Sequence, residues 1–393
     1  GSWFMVHGLR LNLEPWVIIL SMVPGIYIHI PFCLSKCGYC DFYSVTSTEK
    51  IPRFIEALLK EMEMYRGCFN RFDTLYLGGG TPSLLDSNQL ADIIKGIHEH
   101  FIVSADTEVT IEVNPGDLSR KTAESLFKTG INRISIGVQS FDEHILSFLG
   151  RRHSSADAIS AIEDVRAAGF DNMGLDLIYG VPGQDLISWL ETLHTALSFA
   201  PEHLSCYQLT IEPSTPLGLK YRAGKIAPPD EDLLYEFFMR TSELLEDSGY
   251  THYEVSNFSR GSEFMSRHNR KYWGHTPYLG LGPAAHSFSG NRRWWNHRCV
   301  DRYIEDINKK MPPIEKSEIL TLEQLRLEAL YLGLRTKMGI DLQDFSEKYA
   351  FDLLDKKNEM LNRIREEGLI IIRDNHIYPT RRGLAISDSL SLI

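Results

Sequence analysis

The sequence has few cysteines, no long hydrophobic run and no excess of positive charge. Six cysteines in 393 residues are too few for a disulfide scaffold. The longest early apolar run, Trp16–Leu20, is far shorter than the roughly 20 residues that cross a bilayer, so we expect no integral membrane segment. The 41 Lys and Arg residues face 52 Asp and Glu residues, a formal net charge of −11. This balance argues against a surface that collects nucleic-acid phosphates, and we expect no nucleic-acid partner.

A secretory signal is also missing. The apolar region that would form one contains Glu14 and Pro15, and no small-residue cleavage site follows it. Gly1 and Ser2 resemble the remnant of an expression tag, and Met22 is a candidate native start. We therefore interpret residues 1–23 as a tag or flexible N-terminal tail and expect a cytoplasmic protein.

Between residues 24 and 215, short apolar runs alternate with longer amphipathic stretches. This alternation predicts six β-α units and a parallel sheet. The predicted strands are Gly25–Ile30, Thr74–Leu77, Thr107–Val113, Arg133–Val138, Asn172–Ile178 and His203–Leu209. The pattern fits an open doubly wound sheet and a partial barrel equally well. In either architecture the functional loops lie at the carboxyl ends of the strands, so the motifs that follow these strands should line one crevice.

The pattern changes after about Thr215. Residues 216–314 form a connecting segment that is rich in aromatics, His and Gly, and from Ile314 the chain is predicted to become helical. The predicted helices are Thr321–Thr336, Leu342–Tyr349 and Asp352–Glu367, followed by a hairpin across Asp374-Asn375. Three helices and a two-stranded wing indicate a winged-helix-like unit at 315–393. Its third helix is nearly balanced in charge, so a structural or partner-contact role is favoured over DNA binding.

Three of the six cysteines, Cys33, Cys37 and Cys40, follow the first predicted strand in a Cys-x3-Cys-x2-Cys spacing. Three thiolates can hold three irons of a cubane cluster and leave the fourth iron open. Structural zinc is the alternative, but it needs a fourth ligand and usually a second Cys-x2-Cys knuckle, which does not follow. An open iron can chelate the amino and carboxylate groups of S-adenosylmethionine (SAM), whose reductive cleavage yields a 5′-deoxyadenosyl radical. The other cysteines are predicted to be packing residues: Cys68, Cys206 and Cys299.

These motifs resemble the radical SAM superfamily, and within it the coproporphyrinogen-dehydrogenase-like branch. The resemblance includes Tyr39 before the third cysteine and the glycine run Gly78–Gly80. Seven stretches agree in order and spacing: YIHIPFC from Tyr27, GGGTPS from Gly78, IEVNP from Ile111, ISIGVQSF from Ile134, LGRRH from Leu149, DLIYGVPGQ from Asp176 and SCYQLTIEP from Ser205. The resemblance covers nearly all of the chain from about Gly25. It implies an α/β fold, an incomplete (β/α)6 radical SAM barrel with a C-terminal helical, winged-helix-like domain.

Two features distinguish members of this branch. True dehydrogenases carry a fourth cysteine two residues after the third, where this chain has Phe42, and a longer N-terminal extension. The segment His268–Trp273 is similar to the HNxxYW signature of the HemW group of heme chaperones. That resemblance implies a protein that binds a [4Fe-4S] cluster, SAM and heme and delivers heme to apo-hemoproteins, with flavodoxin or ferredoxin as a candidate electron donor. The alternatives are an oxygen-independent coproporphyrinogen III dehydrogenase, which removes two propionate carboxyls, and another radical SAM modification of a porphyrin, so enzymatic activity stays open.

The resemblance also implies a set of SAM contacts. Gly79, Gly80 and Thr81 follow the second strand, where glycines let the backbone approach the methionine end of the ligand. Glu112 ends the third strand and is a candidate for the ribose hydroxyls or the ammonium group. The other implied contacts are Tyr27, Tyr39, Gln139, Arg151 and Asp176, with Thr210 as a weaker candidate.

The resemblance also implies a heme ligand. His268 is the first candidate because it opens the HNxxYW signature, although a lone histidine is more often structural. The alternative ligands are His252, His275, His286 and His297. Candidates for stacking on a porphyrin, or alternatively for the core, are Tyr272, Trp273, Trp294 and Trp295.

Overall fold

The computed structural model describes residues 4–6, 9–11 and 22–390. The chain divides into two compact units. The first unit is Gly1–Met173, Ile211–Ala223 and Thr276–Ile319; the second is Gly174–Thr210, Gly224–His275 and Leu320–Ile393. The interpretation of residues 1–23 as a tag or tail concerns positions that lie mostly outside the described residues. Within that segment, Phe4–Val6 and Leu9–Leu11 pair as two antiparallel strands.

The strands are β1 (Phe4–Val6), β2 (Leu9–Leu11), β3 (Gly25–Ile30), β4 (Phe72–Gly79), β5 (Val103–Val113), β6 (Arg133–Gln139), β7 (Met173–Tyr179), β8 (His203–Gln208), β9 (Thr251–Glu254), β10 (Asn257–Ser259), β11 (Tyr278–Leu281), β12 (His286–Ser289), β13 (Arg292–Asn296), β14 (Ile314–Ile319), β15 (Ile340–Asp341), β16 (Ile370–Arg373) and β17 (His376–Pro379). All six strands predicted between residues 24 and 215 are present, as β3–β8.

The helices are α1 (Ile51–Met64), α2 (Ser87–His100), α3 (Arg120–Lys128), α4 (Glu143–Leu149), α5 (Ser155–Ala167), α6 (Leu186–Ser198), α7 (Pro216–Arg222), α8 (Glu231–Asp247), α9 (Arg267–Trp273), α10 (Val300–Asn308), α11 (Leu322–Gly333), α12 (Leu342–Tyr349), α13 (Leu353–Lys356), α14 (Asn358–Glu366), α15 (Arg381–Ala385) and α16 (Ser387–Leu390). Across the described ranges, each helix is too short or too polar to span a bilayer.

The sheet of the first unit has the strand order β14-β13-β12-β11-β3-β4-β5-β6. Strands β11 and β3–β6 run parallel, so the carboxyl ends of β3, β4, β5 and β6 meet at one edge. Strands β12, β13 and β14 extend this sheet in antiparallel fashion. The central strands read as short apolar runs because both faces are covered, as in β3, where five of six residues are buried.

Local sequence explains where the helices of the first unit begin. Asp86 and Gln89 form a capping box at the start of α2, and Ser154 and Asp157 form another at the start of α5. Helix α1 presents Phe54, with Ile51, Ile55 and Leu58, to the core. These helices therefore fix the loops that precede them, which lie at the carboxyl ends of the strands.

The second unit has a sheet with the order β7-β8-β10-β9, in which β7 and β8 are parallel. Helix α6 buries Trp189, whose indole N–H donates a 2.7 Å hydrogen bond to Thr241 on α8. The C-terminal part of this unit has its own apolar core, formed by helices α11, α12 and α14 and a three-stranded sheet of order β15-β17-β16.

Three predictions about secondary structure were wrong in detail. The chain is not helical from Ile314, because Ile314–Ile319 forms the edge strand β14. The predicted helix Asp352–Glu367 is two helices, since Lys357 leaves the helical region with φ −128° and ψ 20°. The predicted two-stranded wing gains a third strand, β15, which pairs Ile340 with Ile377.

Candidate functional site

A pocket opens where the strands β3–β6 of the first unit end. All three clustered cysteines line it, together with Gly79, Gly80 and Thr81. The remaining lining includes Asn114 from the loop after β5 and Arg151 from the loop after α4. The pocket therefore brings together four of the seven predicted motifs, YIHIPFC, GGGTPS, IEVNP and LGRRH, at one edge of the sheet.

The cysteine loop is held by backbone contacts. The Cys33 N–H donates to Val45 O at 3.0 Å, and the Cys40 N–H donates to Cys37 O at 3.3 Å. Burial raises the pKa of the Cys40 thiol, and the neighbouring thiols of Cys37 and Cys33 add to this. Within the described ranges, no three His, Cys, Asp or Glu side chains are grouped as they would be around a single metal ion.

A chain of hydrogen bonds links two of the cysteines beneath the loop. The Thr81 hydroxyl donates to Cys33 Sγ at 3.4 Å and accepts from Asn114 Nδ2 at 2.9 Å. Arg151 Nη2 donates to Asn114 Oδ1 at 2.6 Å, and Arg151 Nη1 donates to Cys37 Sγ at 3.5 Å. Asn114 thus connects the Thr81 hydroxyl, which donates to Cys33, with the Arg151 guanidinium, which donates to Cys37.

The glycine run lies against a carboxylate. Glu112 Oε2 accepts the Gly79 N–H at 3.2 Å, and Glu112 Oε1 accepts the Tyr76 hydroxyl at 2.8 Å. Gly79 has φ +106°, and a side chain there would come within 2.5 Å of the His29 ring. At Gly80 a side chain would meet the Phe32 backbone at 2.6 Å. Glycine is required at both positions for steric reasons, whatever ligand the pocket takes.

Tyr27 belongs to a hydrogen-bonded series with His29. Burial lowers the pKa of His29 to about 4, so the imidazole is neutral near pH 7. Its Nε2 lies 2.8 Å from the Tyr43 carbonyl, which can only accept, so Nε2 carries the proton. Nδ1 then accepts from the Tyr27 hydroxyl at 3.0 Å. His29 therefore fixes Tyr27 relative to the loop that follows Cys40.

Tyr39 and Gln139 both lie beside Arg151. Burial raises the pKa of Tyr39 to about 12, and the positive charge of Arg151 beside it offsets part of this rise. Gln139 and Arg151 both approach Gly137. A Cβ atom at Gly137 would lie 2.8 Å from Gln139 Nε2 and 3.4 Å from Arg151 Nη2. Gln139 has φ 67°, a strained backbone for a non-glycine residue of the kind that concentrates at functional sites.

Three predicted residues belong to the second unit: Asp176, Thr210 and His268. Asp176 lies on β7, where burial and its charge together raise the pKa of the Cys206 thiol. His268 is 1% exposed on α9, and its Nε2 lies 2.9 Å from the Tyr272 hydroxyl. Burial lowers the pKa of His268 to about 3.

Trp273 and the alternative heme ligands differ in burial and in the contacts of their side chains. Arg335 lies over the Trp273 ring, 5.5 Å from its centre. His252 and His297 are buried, at 0% and 6% exposure, and His275 bonds Tyr349 and Glu328 through its two nitrogens. His286 is exposed on β12.

The donor set fits a cluster held by three thiolates. Three cysteines line one pocket, and Ser44 Oγ and Arg151 Nε are buried there without a hydrogen-bond partner among the described residues. Such unpaired polar atoms beside a pocket are the groups a bound ligand satisfies. Sequence reasoning missed four residues that shape this site: His29, Ser44, Tyr76 and Asn114. His29 and Asn114 stand within the stretches YIHIPFC and IEVNP, which was the signal available for them.

The sequence is similar to known proteins over almost its whole length. Residues 27–196 match the radical SAM superfamily, and residues 320–386 match the HemN C-terminal domain. Heme chaperone HemW of Bacillus subtilis is 34% identical over 369 residues, which are 93% of this chain and 97% of the relative. The chain belongs to the HemW family.

A second HemW relative and one solved structure are also similar to the chain over most of its length. HemW of Lactococcus lactis is 33% identical over 93% of this chain and 95% of the relative. Among solved structures, coproporphyrinogen III oxidase (HemN) from Escherichia coli matches with a TM-score of 0.81 and 23% identity, covering 94% of this chain and 89% of HemN. This likeness shows the fold. The fold class predicted from sequence, an incomplete radical SAM barrel with a C-terminal helical domain, is confirmed.

Proposed function

We propose that the chain binds heme, a [4Fe-4S] cluster and SAM, and transfers heme to apo-hemoproteins in the cytoplasm. The observation that carries this proposal is the similarity to heme chaperones over 93% of this chain and 97% of a relative's length. The position two residues after Cys40 agrees with it, because Phe42 stands where the true dehydrogenases have a further cysteine.

In this proposal Cys33, Cys37 and Cys40 hold the cluster, which supplies an open iron for SAM and, with an added electron, radical chemistry. The electron would come from a donor such as flavodoxin or ferredoxin. Thr81 and Arg151 direct hydrogen bonds at two of the cysteine sulfurs. Hydrogen bonds to cluster sulfurs raise the reduction potential, so these two residues would tune it.

The other residues of the pocket would bind and orient SAM. The Gly79–Thr81 segment lines the pocket and would contact the methionine end of the ligand, and the Glu112 carboxylate beside Gly79 can accept hydrogen bonds from its ammonium or from ribose hydroxyls. Tyr39 and Gln139 beside Arg151, and Tyr27 beside Tyr76, would complete this site. Asp176 of the second unit stays a prediction as a further SAM contact. His268 also stays a prediction, and to ligate iron through Nε2 it would first have to break its bond to Tyr272.

One experiment separates heme transfer from porphyrin decarboxylation. The cluster is reconstituted anaerobically, and hemin titration and coproporphyrinogen III turnover are measured on the same preparation. We expect a stoichiometric Soret change and no formation of protoporphyrinogen. Transfer is then followed by mixing the heme-loaded protein with an apo-hemoprotein and recording recovery of its activity. Turnover at enzymatic rates would establish the dehydrogenase alternative instead.

A further inference from the structure

The sheet face that carries Tyr27 continues beyond the cysteine pocket. Tyr27 on β3 pairs with Tyr76 on one side and with Gly280 of β11 on the other. The β11–β12 register, set by Tyr278 opposite Phe288, brings Gly280 level with His286. A side chain at Gly280 would collide with the His286 carbonyl, so no side chain separates Tyr27 from the next strand on this face.

An aromatic residue of the neighbouring strand lies on the same face as His286. His286 pairs with Trp295 of β13, and cross-strand partners project from the same side of a sheet. The two rings are stacked, with centroids 5.4 Å apart and planes at 18°. Because His286 and Tyr27 lie two strands apart, their backbones are separated by roughly 10 Å. This is on the scale of a porphyrin ring.

His286 differs from the other candidate heme ligands. His252, His268 and His297 are buried, and His275 uses both ring nitrogens in hydrogen bonds or an ion pair. His286 is exposed, and in the part of the chain that the structure describes neither of its ring nitrogens has a hydrogen-bond partner. An accessible nitrogen without a partner is what coordination to iron requires.

Two guanidinium groups and one carboxylate act on this imidazole, and the carboxylate, Glu318, has the smallest effect on its pKa. Desolvation of the ring lowers the pKa of His286, and the guanidinium groups of Arg293 and Arg298 lower it further. A neutral imidazole is the form that ligates iron. Arg298 is exposed and donates to the Asp41 carbonyl at 3.1 Å, whereas Arg293 lies 3.4 Å from Glu318 at the surface. The exposed Arg293–Glu318 ion pair is weak, and the single hydrogen bond of Arg298 to a backbone carbonyl leaves its charge unneutralised, so an anionic ligand can compete for both guanidiniums.

We propose that this face of the first unit binds the heme of the proposed function, with His286 as axial ligand and with Arg293 and Arg298 receiving the propionates. Trp295 is a positioning residue. An iron-bound imidazole stands perpendicular to the porphyrin, so an indole stacked on that imidazole meets the porphyrin with its edge. It would hold the His286 ring in its ligating orientation.

This inference rests on the proposed function, and hemin titration of the cluster-loaded protein tests the two separately. His286→Ala should weaken hemin binding about tenfold or more and change the Soret band. Trp295→Ala should weaken it by about threefold to tenfold, with a broadened Soret band as the ring loses its orientation. Thermal unfolding and the absorbance of the cluster identify any variant that is misfolded, and Trp295→Phe should recover most of the affinity.

The second unit offers a matched control. His376 stacks on Tyr378, with centroids 5.4 Å apart and planes at 13°, and Arg373 lies beside that ring. Both His376 nitrogens are engaged, by the Asp374 carbonyl and by Asp341. His376→Ala should leave hemin affinity and spectrum unchanged.

The outcomes distinguish heme binding and transfer from the location of the heme site at His286. Wild-type protein that binds no hemin would contradict the proposed function itself. Wild-type affinity and an unchanged Soret band in His286→Ala would overturn this heme site while leaving heme transfer intact. An altered spectrum in His376→Ala or in His268→Ala, with His286→Ala normal, would also overturn it.

Discussion

Arg151 Nη2 donates a 2.6 Å hydrogen bond to Asn114 Oδ1, and the same guanidinium reaches Cys37 Sγ through Nη1. The other end of the Asn114 amide donates to Thr81, which in turn donates to Cys33 Sγ. One amide therefore sets the positions of two groups that face the cysteine sulfurs, although it bonds neither sulfur itself.

Asn114→Ala should weaken SAM binding by about tenfold or more, because Arg151 and Thr81 lose the group that orients them. The cluster content should stay close to that of the wild type, since all three cysteines remain. Equilibrium dialysis of SAM against the reconstituted protein measures this. Asn172→Ala is the matched control, because Asn172 likewise accepts from a buried arginine, Arg133, at 3.0 Å. Equal losses in both variants would mean that Asn114 acts through general stability.

Thr81→Val should lower the reduction potential of the cluster, because it removes a hydrogen-bond donor to Cys33 Sγ. A net hydrogen bond of about 0.5–1.5 kcal/mol corresponds to roughly 20–60 mV in a one-electron couple. A redox titration followed by electron paramagnetic resonance gives the value. Thr110→Val provides the comparison, since Thr110 is a buried threonine whose hydroxyl has no partner among the described residues. An unchanged potential in Thr81→Val would contradict the tuning role.

Replacing Cys33, Cys37 and Cys40 together with alanine should abolish the iron–sulfur absorbance near roughly 400 nm after reconstitution. The matched control replaces the three scattered cysteines, Cys68, Cys206 and Cys299, and should keep the absorbance. Iron and sulfide analysis of both triple variants completes the test. Retained iron and sulfide in the first variant would show that other residues hold the cluster.

Local patterns predicted most of the fold because the barrel strands are apolar runs with clear ends. Strand β3 has the predicted bounds, Gly25–Ile30. Strand β14 was missed because all its residues but Ile314 are exposed, so its sequence lacks the alternation that marks a half-buried strand. Helix α4 was also missed, because its seven residues are too few for a helical periodicity to be recognised against the flanking loop sequence.

The parts of the site that are formed by contiguous sequence motifs were predictable. The cysteine spacing and the glycine run are local, and the structure brings both to one pocket. The Asn114 bridge between Thr81 and Arg151 was not predictable. Thr81 lies 33 positions before Asn114 and Arg151 lies 37 positions after it, so only the register of the sheet brings the three together. The pairing of His286 with Trp295 likewise depends on which strands are neighbours.

Glu61 gives a prediction about the pH dependence of stability. Its carboxylate is fully buried on α1 and accepts hydrogen bonds from the Tyr303 hydroxyl at 2.6 Å, Asn296 Nδ2 at 2.7 Å and the Gly282 N–H at 2.8 Å. Burial nevertheless raises the pKa of Glu61 from 4.5 to about 7. The folded state therefore binds more protons than the unfolded state between these values, so this group's contribution to stability is lost as pH rises through that window.

Glu61→Gln removes this dependence because the amide does not titrate. The free energy of unfolding of wild type minus that of the variant should fall by roughly 2–4 kcal/mol between pH 4.5 and pH 8, mostly below pH 7. Urea unfolding at several pH values measures the difference, which cancels the titrations of histidines and of Glu254 that both proteins share. Glu63→Gln, an exposed neighbour on the same helix, should show no such trend. A constant difference between wild type and Glu61→Gln would mean that Glu61 is ionised throughout this range, with its three donors outweighing the cost of burial.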